Sequence, residues 1–400
     1  MTKDAAVAFN KVLCSDSTRR VLLLNRIAVA HFLTVLLVAF FFIPLVPADE
    51  FFDSEEVIAF RLEAPIKSLK RQRGDKVDWL EGKLIYSTPE VENAVLNVKL
   101  EARGNFRRMR ENCSFPPYWL NFRKSEVKGT PFAGLDKVKV VSHCNQGWKS
   151  YEPYMYTEYL VYKTYNLLTD LSFRVRLASI DYYNTNTKKE EGQFGAFFIE
   201  DVDAMEDRLS VKQVKDKYIL PSRYDHRDLC IAEMFMFMIA NTDFSFYASE
   251  DECCHNAKVF APKEEGRGLF PVPYDFDMSG LVKPPYAKPD PNFSIFSVKE
   301  RLYRGVSVDE KILDETLNLY FSKKDEIYDL WRNFAHLTEK DRESAVEFID
   351  GFYRIFDPKR KSNRLAYTAE LRHIGAMERS IQESIDEEAR KKTKAKSKRK

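Results

Sequence analysis

Residues 241–280 carry three carboxylates and one amide whose types and spacing suit phosphoryl transfer with a divalent cation. Asp243 begins a loop after an apolar run, where a carboxylate is held firmly and still reaches solvent. If the later stretch is extended, alternation places Asp275 and Asp277 on one face. Two carboxylates near the Asn256 oxygen suit Mg²⁺, which takes one or two carboxylates together with phosphate oxygens. In the order found in protein kinases, Asp243 would orient the accepting hydroxyl and the other three would bind metal.

The same stretch also fits simpler descriptions. The same residues would also occur in a capped helix end, a loop insertion and an Asp-rich turn on a solvated face. An Asp-x-Asp pair is also found in glycosyltransferase metal sites. His255 next to Cys253 and Cys254 is a poor zinc site, because vicinal cysteines lack the usual two-to-four-residue separation. No G-x-S-x-G elbow is present, which disfavours a Ser-His-Asp hydrolase.

The elements that must position these residues are predicted from hydrophobic periodicity. Alternation predicts strands within 58–104 and at 118–123, 137–143, 174–182 and 195–202. Three- and four-residue spacing predicts helices at 153–168, 308–337, 339–356 and 362–390, and the almost wholly apolar run 228–240 predicts a buried helix. The outline is an α+β protein with a β-rich N-lobe over 51–221 and a helical C-lobe over 222–390.

The N-terminal segment indicates export. Residues 27–47 are an uncharged apolar run, apart from a titratable His31, and basic residues precede it within 1–26. About 20 apolar residues can span a bilayer, with the basic flank on the cytoplasmic side. The alternatives are a signal peptide cleaved near Ala48, or a buried core helix. Anchored or cleaved, the remainder would be exported. The basic tail 391–400 is predicted to be disordered.

Composition limits the remaining classes. The 400 residues include 44% hydrophobic residues, enough for a sizeable core, and the net charge of +2 gives no reason to expect a nucleic-acid partner. Six cysteines do not make a disulfide scaffold. Export permits disulfides, and Cys113 and Cys144 are the favoured pair because they flank neighbouring strand-like stretches. Two buried small side chains are the alternative.

Several segments in order resemble the CotH-type spore-coat kinases, a secreted branch of atypical kinase-like proteins. The resemblance spans about half of the chain, residues 98–280. It is carried by RGN at 103–105, YWLNFRK at 118–124, FAGLDKVKVV at 132–141, the helix at 154–168, GAFFIEDVD at 195–203, and the stretches 241–243, 255–256 and 274–277.

The resemblance implies a two-lobed kinase-like fold, preceded here by the N-terminal hydrophobic helix. It implies that ATP and Mg²⁺ or Mn²⁺ bind between the lobes and that phosphate passes to a hydroxyl of an exported-side protein substrate. Lys139 and Glu158 would form the lysine–glutamate pair that positions phosphates, and Arg103 and Glu200 are further nucleotide-binding candidates. The alternatives are a surface lysine beside an ordinary helix glutamate, and structural ion pairs for Arg103 and Glu200.

Two departures from the protein-kinase pattern accompany the resemblance. Asp243 and Asn256 are thirteen residues apart, against about five in protein kinases. No Gly-rich G-x-G-x-x-G loop is present to cover the phosphates. Three hypotheses follow: an exported ATP- and metal-dependent protein kinase, a catalytically inactive binding or structural protein of the cell envelope, or a metal-dependent transferase of another class.

Overall fold

The computed structural model describes residues 51–73, 77–145, 151–247, 253–264, 266–306, 309–357 and 359, and parts of 382–391. The predicted basic segment 1–26 and hydrophobic helix 27–47 lie outside these residues, as do most of the predicted helix 362–390 and nearly all of the tail. Within the described part of the chain, no helix combines the length and apolarity needed to cross a bilayer.

Seven strands form a closed barrel in the spatial order β1-β2-β3-β4-β5-β7-β6. Their bounds are β1 Ile58–Ala64, β2 Leu80–Tyr86, β3 Ala94–Ala102, β4 Tyr118–Phe122, β5 Lys137–Val141, β6 Val175–Asn184 and β7 Lys189–Ile199. The parallel pairing of β1 with β6 closes the barrel and sets Arg61 opposite Asp181, whereas the other neighbouring strands are antiparallel.

The predicted two-lobed kinase-like fold is wrong, because the strands close into this barrel. Alternation predicted the barrel strands, although the strand predicted at 195–202 runs from Lys189 to Ile199, but it carries no information about which edges meet. The edge of β1 pairs with β6, which lies far along the chain. Full closure of the barrel removes the exposed edges that an open sheet must protect. The described residues from 51 onward belong to one compact unit.

The barrel interior is filled by alternate side chains of its strands. Leu62, Leu84, Leu100, Leu120 and Ile180 are fully buried and belong to one hydrophobic cluster. Their neighbours along each strand are more exposed, as in the β3 pattern that alternates between buried and exposed positions. This alternation, which predicted half-buried strands, is therefore the pattern of a packed barrel.

A three-stranded sheet and helices complete the structure. The sheet, in the order β10-β9-β8, comprises β8 Val211–Val214, β9 Ala257–Pro262 and β10 Phe270–Pro273. The helices are α1 Ile66–Leu69, α2 Glu152–Leu168, α3 Val202–Leu209, α4 His226–Met238, α5 Glu310–Ser322, α6 Lys324–Arg332 and α7 Glu339–Ile355.

The helix predictions are largely confirmed. The helices predicted at 153–168 and 339–356 are α2 and α7, and the buried helix predicted at 228–240 is α4, in which every residue from Leu229 to Met238 is buried. The single helix predicted over 308–337 is wrong, since the chain breaks at Lys323 between α5 and α6.

The predicted disulfide between Cys113 and Cys144 is confirmed. It joins the loop after β3 to the end of β5, so the segment bearing residues 103–113 is held against the barrel. Cys253 and Cys254 form a second bridge, and Cys230 on α4 is a buried free thiol.

Candidate active site

Arg107 lies at the centre of three carboxylates. Its Nη1 donates to Glu158 Oε2 at 2.9 Å, and its Nη2 donates to Asp275 Oδ1 at 2.6 Å. Its Nε lies 3.2 Å from Asp277 Oδ2, and the Tyr286 hydroxyl donates to the same oxygen at 2.9 Å. Burial raises the pKa of Glu158 and of Asp277, and Arg107 opposes this rise. One buried guanidinium thus joins α2 to the segment after β10.

Asp275 and Asp277 both contact Arg107, but the extended backbone from which alternation placed them on one face is wrong. The strand ends at Pro273, and Asp275 has φ +62°, in the left-handed region that non-glycine residues rarely occupy. The Asp275 amide donates to the Tyr162 hydroxyl at 2.8 Å, which anchors this turn to α2. A sharp turn therefore brings together two carboxylates that simple alternation was expected to align.

Asp243 and Asn256 are in direct contact despite their separation along the chain. The Asn256 side-chain amide donates to Asp243 Oδ2 at 2.9 Å and to its backbone carbonyl at 2.7 Å. His255 Nε2 lies 3.0 Å from Asp243 Oδ1, and this hydrogen bond raises the pKa of His255. The Asp243 side chain remains 40% exposed, so an acceptor in solution can approach it.

The Asp243 group adjoins the Arg107 cluster. The Tyr274 amide donates to the Asn256 carbonyl at 3.0 Å, directly before Asp275. Besides burial and the charge of Asp275, the charge of Asp243 contributes to the raised pKa of Asp277. The four residues predicted to be catalytic or metal-binding therefore converge within electrostatic reach of one another.

The Asp243 loop is positioned by buried groups behind it. Arg304 donates to the carbonyls of Thr242 and Phe244, on either side of Asp243. Glu233 of α4 accepts hydrogen bonds from the hydroxyls of Tyr247 and Tyr303. The loop is thus tied to α4, which precedes it and is buried from Leu229 to Met238, and this is the support that a positioned carboxylate requires.

A pocket of about 540 Å³ lies between the barrel and the three-stranded sheet. It is lined by four cationic side chains, Arg103, Lys139, Lys215 and Lys258, and by two carboxylates, Asp201 and Asp216. Among the described residues, none of these four forms an ion pair. Val214, Ile219 and Val259 supply apolar wall, and Trp119 and Tyr274 supply aromatic wall. The volume falls within the about 300–1,000 Å³ typical of small-molecule sites. We refer to it as the cationic pocket.

Lys139 is the most deeply buried cation of this pocket. It is only 6% exposed, and its ammonium lies 5.2–5.7 Å from the ring centroids of Phe173, Tyr274 and Trp119. Burial, and next the charge of Arg103, lower the pKa of Lys139 to about 7. A buried lysine beside another cation favours a ligand that brings negative charge.

The remaining predicted nucleotide ligands lie in different surroundings. Glu158 pairs with Arg107, and no ion pair joins it to Lys139 in the described part of the chain. Glu200 is completely buried, and both of its oxygens accept hydrogen bonds from Arg208. The Arg174 guanidinium also donates to Oε1, and the Arg174 backbone amide donates to Oε2. These surroundings match the structural ion pair that was the alternative to nucleotide binding. Glu200 is therefore not one of the proposed nucleotide ligands.

The oxygen atoms of Asp275, Asp277 and Asn256 fit a hard cation. Each residue keeps one side-chain oxygen that accepts no hydrogen bond from the described residues, and oxygen ligands are those Mg²⁺ prefers. No group of three or more His, Cys, Asp or Glu side chains is arranged to hold a metal within the described ranges. A site with two carboxylates and an amide, completed by phosphate oxygens, does not need such a group.

No protein-family model matches this sequence, and no curated protein is significantly similar to it. The resemblance to CotH-type kinases therefore stays a prediction that rests on the residues quoted above.

Sequence reasoning missed Arg107, which organises the site. Its signal was the run of four arginines from Arg103 to Arg110, of which two face the site region. Periodicity could not separate them, because the loop that bears them has no regular structure. The contribution of Lys258 was also missed, since a lysine on a half-buried strand is usually solvated.

Proposed function

We propose that this protein transfers the γ-phosphate of ATP to a hydroxyl group on a protein substrate. The resemblance to CotH-type kinases implies this activity, and one observation supports it most. The pocket, whose four cations form no ion pair with any residue that the structure describes, meets a cluster of carboxylates at Tyr274 and Asp275. An anion-binding pocket beside acidic groups is the arrangement phosphoryl transfer needs, because catalysis there consists largely of positioning and charge stabilisation.

The side chains of the site have different roles in the proposed reaction. Lys139 and Arg103 bind and orient the phosphates, and the apolar wall accommodates the base. Asp275, Asp277 and Asn256 would hold Mg²⁺ or Mn²⁺, which when bound neutralises phosphate charge. Asp243 accepts a hydrogen bond from the acceptor hydroxyl and takes its proton. His255 and Asn256 hold the Asp243 carboxylate in place.

A second candidate is a nucleotide-binding protein without transferase activity. One observation favours it: Arg107 already supplies positive charge to both Asp275 and Asp277. A guanidinium between two carboxylates reduces the negative potential that attracts a divalent cation. In that case the cationic pocket would bind nucleotide and no phosphate would be transferred.

Two measurements on the full-length chain in detergent test the proposal. Thermal shift with ATP, alone and with Mg²⁺ or Mn²⁺, measures binding, and incubation with γ-labelled ATP measures transfer to the protein itself or to added substrate. We expect Lys139→Met to abolish the shift and Asp243→Asn to keep the shift while losing transfer. Asp136→Asn, an exposed aspartate paired with Lys124, is the matched control.

The outcomes separate the candidates. A metal-independent shift with no transfer would support the binding protein. A wild-type protein that shows no shift with any nucleotide, or transfer that survives Asp243→Asn, would contradict the proposed transferase.

A further inference from the structure

A second pocket, independent of the proposed active site, is strongly basic. It has a volume of about 560 Å³ and is formed by α1 and the residues after it, the loop after β3, and the β6–β7 turn. We refer to it as the basic pocket. It is lined by Lys67, Lys70, Arg71, Arg73, Arg110, Ser114, Asn184, Thr187 and Glu191.

The lining has a large excess of positive charge. Five of its side chains are cationic and only Glu191 is anionic. Glu191 lies 3.0 Å from the Lys70 ammonium and accepts a hydrogen bond from Asn184 at 2.6 Å, so its charge is already shared. Burial, and next the like charge of Arg110, lower the pKa of Arg73. Cations held this close repel one another, and a bound anion would relieve that repulsion.

The walls are held in place by the fold. Asn184 is buried, and its side-chain oxygen accepts from the backbone of Lys67 at 3.4 Å, which fixes α1 to the β6–β7 turn. The Arg73 guanidinium donates to the carbonyl of Arg108 and to that of Cys113 at 3.4 Å. The disulfide of Cys113 secures the same loop to the barrel. A pre-formed site of this kind loses little entropy when a ligand binds.

We propose that the basic pocket binds a small molecule bearing two or more phosphate groups. Arginine binds phosphate oxygens in a bidentate manner, which the Arg71 and Arg110 side chains of the lining can do, while the Arg73 guanidinium, held by two carbonyls, adds positive charge. The hydroxyls of Ser114 and Thr187 add neutral polar groups to the same wall. A ligand with several negative charges in a small volume neutralises the excess positive charge of the basic pocket. The concave shape suits a compact molecule better than an extended acidic polymer.

The test is isothermal titration calorimetry of the full-length chain in detergent with inorganic tripolyphosphate and chelator, so that no metal takes part. All measurements use an Arg103→Met/Lys139→Met background, which removes two cations of the cationic pocket. We expect one equivalent of tripolyphosphate to bind, with an affinity that falls as salt rises.

Charge reversal by Arg71→Glu/Arg110→Glu should weaken binding at least about 30-fold, because two charge-assisted contacts are replaced by repulsion. Lys83→Glu/Lys128→Glu makes the same change in charge at exposed positions outside the basic pocket and should leave binding unchanged. If charge reversal prevents folding, the neutral pair Arg71→Gln/Arg110→Gln should still weaken binding at least about fivefold.

Three results would overturn the proposal: no heat of binding with tripolyphosphate, equal weakening by the control pair, or binding of heparin together with no binding of tripolyphosphate. The last would assign this surface to an acidic polymer. Because the proposed active site is disabled in the background, failure here leaves the proposed transferase activity unaffected.

Discussion

Replacing Arg107 by methionine removes the single cation that three carboxylates share. The side chains of Glu158 and Asp277 are only 2% and 8% exposed, so both are left buried without a cation beside them, and Asp277 keeps the hydrogen bond from Tyr286. Asp275 is 35% exposed and is compensated in part by water. Removing one partner of a buried ion pair costs about 3–5 kcal/mol. We expect Arg107→Met to lower the free energy of unfolding by that amount, a large share of the about 5–15 kcal/mol of a typical domain.

Urea unfolding at pH 7.5, followed by circular dichroism, measures this loss. Arg123→Met is the matched control, because the Arg123 side chain is 64% exposed and its ion pair with Glu126 should contribute less than about 1 kcal/mol. Combining Arg107→Met with Glu158→Gln should restore part of the loss, since the second change removes one unpaired buried charge. Equal losses for Arg107→Met and Arg123→Met, or no recovery in the double variant, would refute this account of the cluster.

Three further predictions concern other buried groups. His143 stacks on Phe194, and neither ring nitrogen has a hydrogen-bond partner among the residues that the structure describes; burial lowers its pKa to about 3. The stability that the neutral His143 side chain contributes is therefore fully present above pH 6.5 and is lost as the pH falls towards 3. We expect His143→Phe to narrow the difference in melting temperature between pH 7.5 and pH 5. An unchanged difference would contradict this prediction. If the cationic pocket binds ATP, the neutral fraction of the Lys139 amine should take up a proton at pH 7.5, because phosphate raises a pKa that stands at about 7 in the free protein. Calorimetry in buffers of different ionisation enthalpy measures the uptake, which Lys139→Met should abolish. Glu200→Gln should lower the free energy of unfolding by about 3–5 kcal/mol and leave the ATP-induced thermal shift intact. A variant that keeps its stability but loses the ATP-induced shift would instead make Glu200 a nucleotide ligand.

Local patterns predicted local structure well. The aromatic and aliphatic spacing of residues 153–168 predicted α2, and the apolar run that ends in Met238 predicted α4, because helix periodicity and burial are visible within a few turns. The Cys113–Cys144 bridge was also predicted, since its cysteines flank strands that lie close in sequence. Each of these features depends on residues within about 30 positions.

Features that depend on distant partners were not predicted. The two-lobed fold was wrong because the closure between β1 and β6 depends on edges that alternation does not specify. Arg107 was missed because its partners lie on α2 and after β10, 51 and 168 residues further along the chain. The contact between Asp243 and Asn256 was not predicted, since nothing in the twelve residues between them encodes it.

The parallel pairing of β1 with β6 has a consequence during synthesis. Arg61 and its partner Asp181 are 120 residues apart. At about 5–20 residues per second, a nascent β1 waits roughly 6–24 s before its partner has been translated. For that interval one edge of β1 is open to pairing with other chains. Cells that make this protein in quantity should therefore need a chaperone that shields the nascent N-terminal half of the chain.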